Sequence, residues 1–492
     1  MKSTRANMIA REHGSGLWAV GITLMIGLLA TVIFAIVYTE RAHGFIVVLN
    51  CTLLLAIASI RPVNQTVRWF RIFLLFFFGI FPLWQLLAGD EIYLKLLPQD
   101  SVAVMLWFFL SIGGVLVVQL MLIARRRELA PWFRVVRPVM RVGGLAYLFA
   151  CLSLSALAFM YVKLGGYSHI AQLYDTRVES NGTDYDPFRG LGVIQALANT
   201  SPLWVFVCLM LRRRRNVLIT TIAFVQLGVL GWLSSGVAGS RQGIVFVLVF
   251  ALFIYHEFVN RINPRKARLF GIAVALTGIL LIPLKLGLGY SDLAKLPQRF
   301  AEQRGLELSM GPLSSFFFRD LSRFDVQILA IDTVEKPSFE LAMGRSFVGA
   351  VASVVPSALW GDRPDTFAKE KSDIVRNVER TTMEKTTLLF GMPGEFLVNF
   401  GIVGYMLSFV IPAMLLVLHN RIGRKAERWL PLRAVIWPIP FLFFLFDSNV
   451  IVYYVVRWVL LFGLPMAYAL QSSRQSRAMP QAEIASEPAA AS

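Results

Sequence analysis

The sequence predicts an all-α polytopic membrane protein with about twelve transmembrane helices and a large, partly helical extracytoplasmic loop between spans 9 and 10. Three observations lead to this class. Apolar residues make up 56% of the chain, charged residues only 16%, and the mean hydropathy is +0.63, which is too apolar for a water-soluble chain of this length. The apolar runs are long enough to cross a bilayer. Basic residues cluster in every second connection between those runs.

Twelve apolar runs approach or reach the roughly 20 residues that a helix needs to cross the hydrocarbon core. The predicted spans are 17–38, 44–60, 72–88, 101–124, 142–162, 191–211, 216–234, 244–258, 269–289, 396–418, 434–446 and 450–470. These runs are continuously apolar, whereas strands of a transmembrane barrel alternate, so helices are predicted. No small-residue cleavage site follows the first run, and we interpret it as a retained span.

Arginine and lysine predict the orientation, because cytoplasmic connections are enriched in them. With the N-terminus inside, the basic connections are 61–71, 125–141, 212–215, 261–268 and 421–433. The connections after spans 1, 3 and 11 are nearly free of positive charge, so both termini are predicted to be cytoplasmic. The net charge of +18 then directs topology and attracts anionic lipid headgroups, and no nucleic acid is expected as a partner.

The spans divide the chain into five predicted regions. These are a cytoplasmic N-terminus (1–16), spans 1–9 with a short outer loop at 163–190 (17–289), a large periplasmic loop (290–395), spans 10–12 (396–470) and a disordered cytoplasmic tail (471–492). The large loop holds half of the Asp and Glu residues, and loops of this length are usually functional. Its segment 312–334 has helical periodicity, which predicts a helix lying on or dipping into the outer leaflet.

No internal repeat is evident in the sequence. Secondary transporters with twelve spans are typically built from two related halves. Here the connection between spans 6 and 7 is the short run Arg212–Arg215, and the long loop follows span 9. The two halves therefore do not mirror one another, which favours an enzyme. A transporter or lipid flippase and a non-enzymatic scaffold remain alternatives.

Arg241 is the sharpest candidate for an anion site. It lies in GVAGSRQGIVF between spans 7 and 8, where small residues let other groups approach and where span 8 begins. A guanidinium beside a helix N-terminus suits a phosphate through bidentate hydrogen bonds and the helix dipole. The alternative is an outer turn whose arginine reaches lipid phosphate.

The large loop and the start of span 10 supply further charged candidates. Arg319 and Arg323 are four residues apart, a like-charge pair that is destabilising unless a negative group is close. Neighbouring aspartates meet that need structurally; alternatively the two arginines hold a diphosphate while Asp325 accepts a proton. Glu395 is either a helix cap or a catalytic carboxylate. No Gly-rich phosphate loop, metal-binding cluster or nucleophile elbow is evident, so no metal and no cofactor are expected.

Several motifs occur in an order that is informative as a set. They are GGYSHIAQLYDTR (165–177), GSRQG (239–243), RFD (323–325) followed by MGRSF (343–347), VVPSALWGDRP (354–364) and PGEFLVNFGIVG (393–404). In order and membrane placement this set resembles the O-antigen polymerase family, the Wzy-type oligosaccharide repeat-unit polymerases of bacterial envelopes. The resemblance extends over about half the chain. It departs from many relatives at Arg363, where they have lysine before the proline.

The resemblance implies a metal-independent glycosyltransferase, a polysaccharide polymerase of lipopolysaccharide or exopolysaccharide biosynthesis in the bacterial inner membrane. Such an enzyme moves a growing glycan from undecaprenyl diphosphate onto a lipid-linked repeat unit at the periplasmic face. Besides this lipid-linked oligosaccharide and membrane lipids, a chain-length regulator and a flippase are the expected partners. Arginines would stabilise the diphosphate leaving group, and a carboxylate would accept the proton of the acceptor hydroxyl.

Carried onto this sequence, the resemblance gives two sets of site residues. The catalytic set is Asp325, Glu395 and Arg241. The set that binds diphosphate or glycan is Arg177, Arg319, Arg323, Arg345, Trp360, Arg363 and Asn399.

An O-antigen ligase, which transfers the glycan to a lipid A core, is the nearest enzyme alternative. The ligase pattern places a histidine in the large outer loop. This chain has no histidine between Tyr290 and Glu395, and its outer histidines are His43 and His169. The polymerase is therefore favoured over the ligase.

Overall fold

The computed structural model describes residues 42–60, 64–88, 102–125, 144–166, 191–210, 217–238, 323–355, 390–425 and 430–468, with isolated residues and short pieces at 25, 29, 247–248, 250–252, 254–256, 360 and 364. Every regular element in this part of the chain is a helix, and no strand occurs in it. The predicted all-helical class is therefore confirmed for the described residues.

The helices belong to two compact units. Unit 1 comprises Met1–Trp132, Glu307–Arg421 and Ile436–Tyr454, and unit 2 comprises Phe133–Leu306, Ile422–Val435 and Val455–Ser492. The described helices are α1 (Ala42–Ser59), α2 (Gln65–Leu75), α3 (Phe81–Ala88), α4 (Ala103–Ala124), α5 (Gly144–Lys163), α6 (Gly192–Ala198), α7 (Ser201–Met210), α8 (Val217–Ala238), α9 (Phe324–Val334), α10 (Arg345–Ala352), α11 (Gly391–Ser408), α12 (Val410–Lys425), α13 (Leu430–Ile436), α14 (Ile439–Leu445) and α15 (Ser448–Trp458).

Five described helices are long and apolar enough to cross a membrane. They are Thr66–Gln85, Ala103–Ala124, Gly144–Lys163, Gly192–Met210 and Ser448–Tyr468, and the bent pair of α11 and α12 makes six if it is one span. Shorter apolar helices at Val48–Ala58, Leu218–Ser234 and Pro431–Leu445 coincide with three more predicted spans. The predicted span 269–289 lies outside the described residues, as do most of 17–38 and seven of the fifteen residues of 244–258, and the count of twelve stays a prediction.

Predicted span 10 is broken. Helices α11 and α12 meet at a bend of 47°, and within α11 the backbone of Gly401 has φ 68 and ψ −162. The non-helical backbone at Gly401 leaves carbonyl groups of the preceding turn without partners in the helix. The loop before α10 supplies those partners: the N–H of Ala342 donates to the Val398 carbonyl, and the N–H of Met343 donates to the Asn399 carbonyl, each at 3.1 Å. The loop before α10 is thus attached to the broken helix.

The core of unit 1 is an aromatic cluster around α4. The Trp107 ring packs edge-on against Phe324 of α9 at 4.9 Å, and Phe78 contacts both Trp107 at 5.8 Å and Phe444 at 5.4 Å. All these rings are buried. Because each aromatic ring buries a large apolar area, this cluster fixes α9 and α14 against α4.

Helix α9 differs from the helix predicted over 312–334. Arg323 has φ −124 and ψ 11, outside the helical region, so the described helix begins at Phe324, and residues 312–322 lie outside the described part of the chain. All eight residues from Phe324 to Ile331 are buried, whereas a helix at a leaflet surface exposes one face. For Phe324–Val334 the expected surface helix is corrected to a core helix of unit 1. The periodicity was misleading because a few apolar positions at helical spacing fit either environment.

The helices of unit 2 are held by a few buried polar contacts between apolar faces. The hydroxyl groups of Ser153 and Thr200 are 3.2 Å apart, and the Tyr161 hydroxyl donates to the Leu233 carbonyl at 3.1 Å. The rings of Phe250 and Trp458 stack at 4.2 Å. Small residues and interhelical hydrogen bonds of this kind are typical of helices packed in lipid.

Gly391, the first residue of α11, gives a stability prediction. Its φ is +71, and an added Cβ would collide with the Phe444 carbonyl. We expect Gly391→Ala to lower the free energy of unfolding by more than about 2 kcal/mol, since the left-handed conformation alone costs about 1–2 kcal/mol for a residue with a Cβ. Denaturant unfolding of the detergent-solubilised protein measures the loss.

The matched control for this substitution is Gly228→Ala. Gly228 lies within α8, and apart from its chain neighbours and the backbone of its own helix no atom of the described residues lies within 4 Å of an added Cβ there. A glycine-to-alanine change in a helix interior is neutral or stabilising by up to about 1 kcal/mol. Equal effects of the two substitutions would contradict the described geometry at Gly391.

Candidate functional site

Four helix ends of unit 1 meet at one place. The Nε of Arg323, before α9, donates to the carbonyl of Leu445, the last residue of α14, at 3.2 Å. The N–H of Phe390, before α11, donates to Oδ1 of Asp447 at 3.0 Å. The N–H of Ser448, the first residue of α15, donates to Oε2 of Glu395 at 2.6 Å. We name Arg323, Asp325, Glu395, Asp447 and Ser448 the helix-end cluster.

The starts of α11 and α15 cap one another. The first N–H groups of a helix have no partner within that helix, and a carboxylate near them is favoured by the helix dipole. Here Asp447 at the start of α15 accepts from Phe390, and Glu395 in α11 accepts from Ser448. Each helix therefore supplies the carboxylate that its neighbour needs, and this exchange fixes the two starts relative to one another.

Glu395 is fully buried and both of its carboxylate oxygens are occupied. Its Oε1 accepts from the hydroxyls of Ser346 and Ser448, each at 2.6 Å. Its Oε2 accepts from the Ser448 N–H. Three donors on a buried carboxylate compensate for the loss of its hydration. The cap interpretation of Glu395 thus has a geometric basis, although its partner is α15 rather than its own helix.

Arg323 is the cation of the helix-end cluster. It is only 6% exposed, and its positive charge acts on both Asp325 and Asp447, lowering the pKa of each. The guanidinium therefore binds a helix C-terminus and acts electrostatically on two carboxyl groups. Three acidic side chains accompany one arginine in the cluster, so it favours binding a proton over holding a diphosphate.

Asp325 lies in the first turn of α9. Its Oδ1 accepts from the N–H of Val326 at 2.9 Å, and the Gln85 side chain also hydrogen-bonds its carboxyl. Burial raises the pKa of Asp325 to about 6, against these hydrogen bonds and the charge of Arg323, which lower it. A carboxyl with this pKa is ionised at neutral pH and is a stronger base than an exposed aspartate.

Asp447 is a second acid of the cluster whose pKa is raised. Burial, and then the charge of Glu395, raise the pKa of Asp447 well above its ordinary value. Its Oδ1 accepts from the Phe390 N–H, while its buried Oδ2 has no hydrogen-bond partner among the described residues. A buried carboxylate oxygen without a donor is costly when charged, so protonation of Asp447 is favoured.

The pKa of Asp325 gives a prediction for stability. Because the folded pKa, about 6, lies above the ordinary 3.8, the protonated form favours folding, and this contribution is lost as pH rises from about 4 through 6. With about 1.36 kcal/mol per pKa unit, the loss is ~3 kcal/mol. We expect Asp325→Asn to gain ~3 kcal/mol over the unchanged protein between pH 4 and pH 7, measured by denaturant unfolding in detergent. An equal pH dependence of both proteins would contradict this.

The other predicted site residues fall into three groups. Arg345 is exposed, with its Nε 3.4 Å from the Ala342 carbonyl, and Trp360 is 42% exposed. Asn399 is buried, and its amide binds the Gly344 N–H, the Ser346 hydroxyl and the Glu395 carbonyl. Arg177, Arg241, Arg319 and Arg363 lie outside the described residues. The structure therefore brings Arg323, Asp325, Glu395 and Asn399 into one region, and the binding roles stay predictions.

Asp447, Ser448 and Ser346 were missed as site residues by the sequence reasoning. Asp447 carried a usable signal, because an aspartate between the apolar runs 434–446 and 450–470 is costly in a membrane protein and usually has a purpose. The serines carried none, since serine is common in helices that pack in lipid. Their roles depend on which helix ends meet.

No group of three or more His, Cys, Asp or Glu side chains within the described residues is arranged to hold a metal ion. What the helix-end cluster offers is a carboxylate base at Asp325, with a guanidinium at Arg323 to keep that base ionised. Comparison of this chain with known protein families, with curated proteins and with solved structures found no match.

Proposed function

We propose that this chain is a bacterial inner-membrane glycosyltransferase that polymerises lipid-linked oligosaccharide repeat units into O-antigen or exopolysaccharide. In this proposal the chain has about twelve spans with both termini in the cytoplasm, and the site faces the periplasm. The observation that carries the proposal is the helix-end cluster, with Arg323 and Asp325 buried together in a chain of apolar helices. Ionisable groups in such a setting are costly and mark functional sites.

Asp325 is the base in the proposed reaction. The hydroxyl of the acceptor sugar gives its proton to the Asp325 carboxylate while its oxygen forms a bond to the anomeric carbon of the donor glycan. The bond from that carbon to the diphosphate breaks, and undecaprenyl diphosphate leaves with the bonding electrons. A base with a pKa of about 6 is ionised at neutral pH, and positioned general bases contribute roughly 10²–10⁴-fold to rate.

The diphosphate requires positive charge from outside the helix-end cluster, because Arg323 is already shared between two carboxylates. Arg241 is our first choice for this role. Its sequence setting, between small residues and the start of span 8, suits a diphosphate oxygen. Stabilising developing charge in this way is worth about 2.7–4 kcal/mol per donor.

A null strain tests the function. Without a polymerase, single repeat units are still made and exported, so the core lipid carries one unit and the long-chain ladder on a gel disappears. Accumulation of repeat units on the cytoplasmic face would instead indicate a flippase. Accumulation of finished long polymer on its lipid carrier, with a bare core lipid, would indicate a ligase.

Arg241→Lys distinguishes diphosphate binding from a lipid contact. Lysine keeps the charge but loses the planar fork that pairs with two phosphate oxygens, so we expect Arg241→Lys to be nearly as damaging as Arg241→Ala, with each losing about 10²-fold in polymer synthesis. The measurement is ladder intensity in the complemented null strain at matched membrane abundance. Full ladder length with lysine would show that Arg241 only directs topology or contacts lipid phosphate.

A further inference from the structure

Glu395 joins three segments of unit 1 that are far apart in sequence. Its Oε1 accepts from the Ser346 hydroxyl in α10, and its two oxygens together accept from the hydroxyl and N–H of Ser448 in α15. Glu395 itself lies near the start of α11. One side chain therefore fixes α10 and α15 to α11, with three hydrogen bonds of 2.6 Å.

Asn399, one helical turn further along α11, completes the α10 side of this arrangement. Its amide nitrogen donates to the Ser346 hydroxyl at 2.7 Å and to the Glu395 carbonyl at 2.8 Å. Its amide oxygen accepts from the N–H of Gly344 at 2.8 Å. The Ser346 hydroxyl thus accepts from Asn399 while it donates to Glu395, so its rotation is fixed from both sides. We name Ser346, Glu395, Asn399 and Ser448 the interlock.

The interlock sets the position of Asp447, because Asp447 immediately precedes Ser448 and is held on its other side by Phe390. Asp447 in turn shares the charge of Arg323 with Asp325, and Arg323 binds the end of α14 at Leu445. A shift of Ser448 would therefore move Asp447 relative to Arg323, and through Arg323 it would alter the surroundings of Asp325.

We propose that Glu395 is a positioning residue, which holds Asp447 and Arg323 in the places that orient Asp325 and does not exchange a proton with the substrate. The proposal rests on the proposed function for its catalytic consequence. Glu395 is unsuited to accept a substrate proton directly, since it is fully buried and all its hydrogen-bonding contacts are intramolecular donors on both oxygens. Replacing Glu395 therefore displaces the base Asp325 but leaves its carboxylate in the protein.

Glu395→Gln, Ser346→Ala and the control Ser408→Ala test this role in purified protein in nanodiscs. The glutamine either sets its amide N–H₂ against the Ser448 N–H, or turns it towards the two serine hydroxyls, whose hydrogens then lose the acceptor that Oε1 provides. Ser408 lies in the same helix and is equally buried, and its hydroxyl bonds only the Tyr405 carbonyl at 2.6 Å. Steady-state kinetics with lipid-linked repeat units gives kcat, KM and the pH profile, and hydrogen–deuterium exchange reports on 342–346 and 446–450.

A positioning role predicts a split between these measurements. In Glu395→Gln we expect kcat to fall about 10–100-fold, as for a small misplacement of a catalytic group, with KM within about twofold and the acidic limb of the pH profile still near pH 6. Exchange at 342–346 and 446–450 should rise about tenfold or more as the interlock opens. Ser346→Ala should show the same changes at about a third of their size. Ser408→Ala should change neither kcat nor the exchange rate.

Several results would overturn the proposal. Unchanged exchange in Glu395→Gln would show that no interlock exists. Increased exchange with unchanged kcat would show that the interlock does not position the base. Loss of all activity at every pH, as in Asp325→Asn, with unchanged exchange would assign Glu395 to the chemistry. Failure of the proposed function has a different signature: the unsubstituted protein would then form no polymer, while the exchange measurement still decides whether the interlock exists.

Discussion

Asp325→Asn is expected to abolish polymer, with a fall in rate of about 10²–10⁴-fold, which is the contribution of a positioned general base. Asparagine is nearly isosteric with aspartate, so the packing of Phe324 against Trp107 is retained while the carboxylate is lost. In the unsubstituted enzyme the rate should fall as pH drops through about 6, because protonation of Asp325 removes the base. The measurements are ladder intensity in the complemented null strain and the rate of polymerisation in nanodiscs.

The matched control is Asp332→Asn, the same substitution in the same helix. Asp332 pairs with Lys336 at 3.0 Å and is partly exposed, and an exposed pair of this kind contributes little, roughly 0.2–1 kcal/mol. Polymer synthesis should therefore be normal in Asp332→Asn. A normal ladder in Asp325→Asn at matched abundance would remove Asp325 from the chemistry and redirect the search to Arg177 and Arg241.

Arg323→Gln is expected to have the second-largest effect, on both stability and pH dependence. Removing the guanidinium takes away the donor to the Leu445 carbonyl and the positive charge that acts on Asp325 and Asp447, and a buried acceptor left without its donor costs about 1–3 kcal/mol. Because the charge of Arg323 lowers the pKa of Asp325, its loss should raise that pKa further. The acidic limb of the activity profile should then move above pH 6, and activity at pH 7 should fall about tenfold or more.

Two variants separate charge from shape at this position. Arg323→Lys retains the positive charge, so the acidic limb should stay near pH 6, but it lacks the Nε donor to Leu445 and should still lower stability. Lys336→Gln removes one exposed positive charge at the far end of α9 and should change neither property. An acidic limb that stays at the same pH in Arg323→Gln would show that Arg323 does not tune Asp325.

Much of the fold followed from the sequence alone. Runs of about 20 apolar residues predicted helices at 101–124, 142–162 and 450–470, and the structure has helices at Ala103–Ala124, Gly144–Lys163 and Ser448–Tyr468. The prediction succeeded because a backbone in lipid must satisfy its hydrogen bonds internally, which leaves few alternatives to a helix. For the same reason, the composition of a local run is enough to predict the position of a helix, and no knowledge of distant contacts is needed.

The sequence by itself also marked Arg323 and Asp325 as candidates, because two arginines four residues apart need a negative group nearby. It marked Glu395 because a carboxylate stands at the start of a predicted helix. Only the tertiary structure decided their relations. The pattern over 312–334 fitted a surface helix, yet α9 is surrounded by the unit 1 core, since helical periodicity records spacing and not what covers each face. Likewise, Glu395 meets Ser346 and Ser448, 49 and 53 residues away, because helix ends come together through packing of α10, α11 and α15, which no local pattern records.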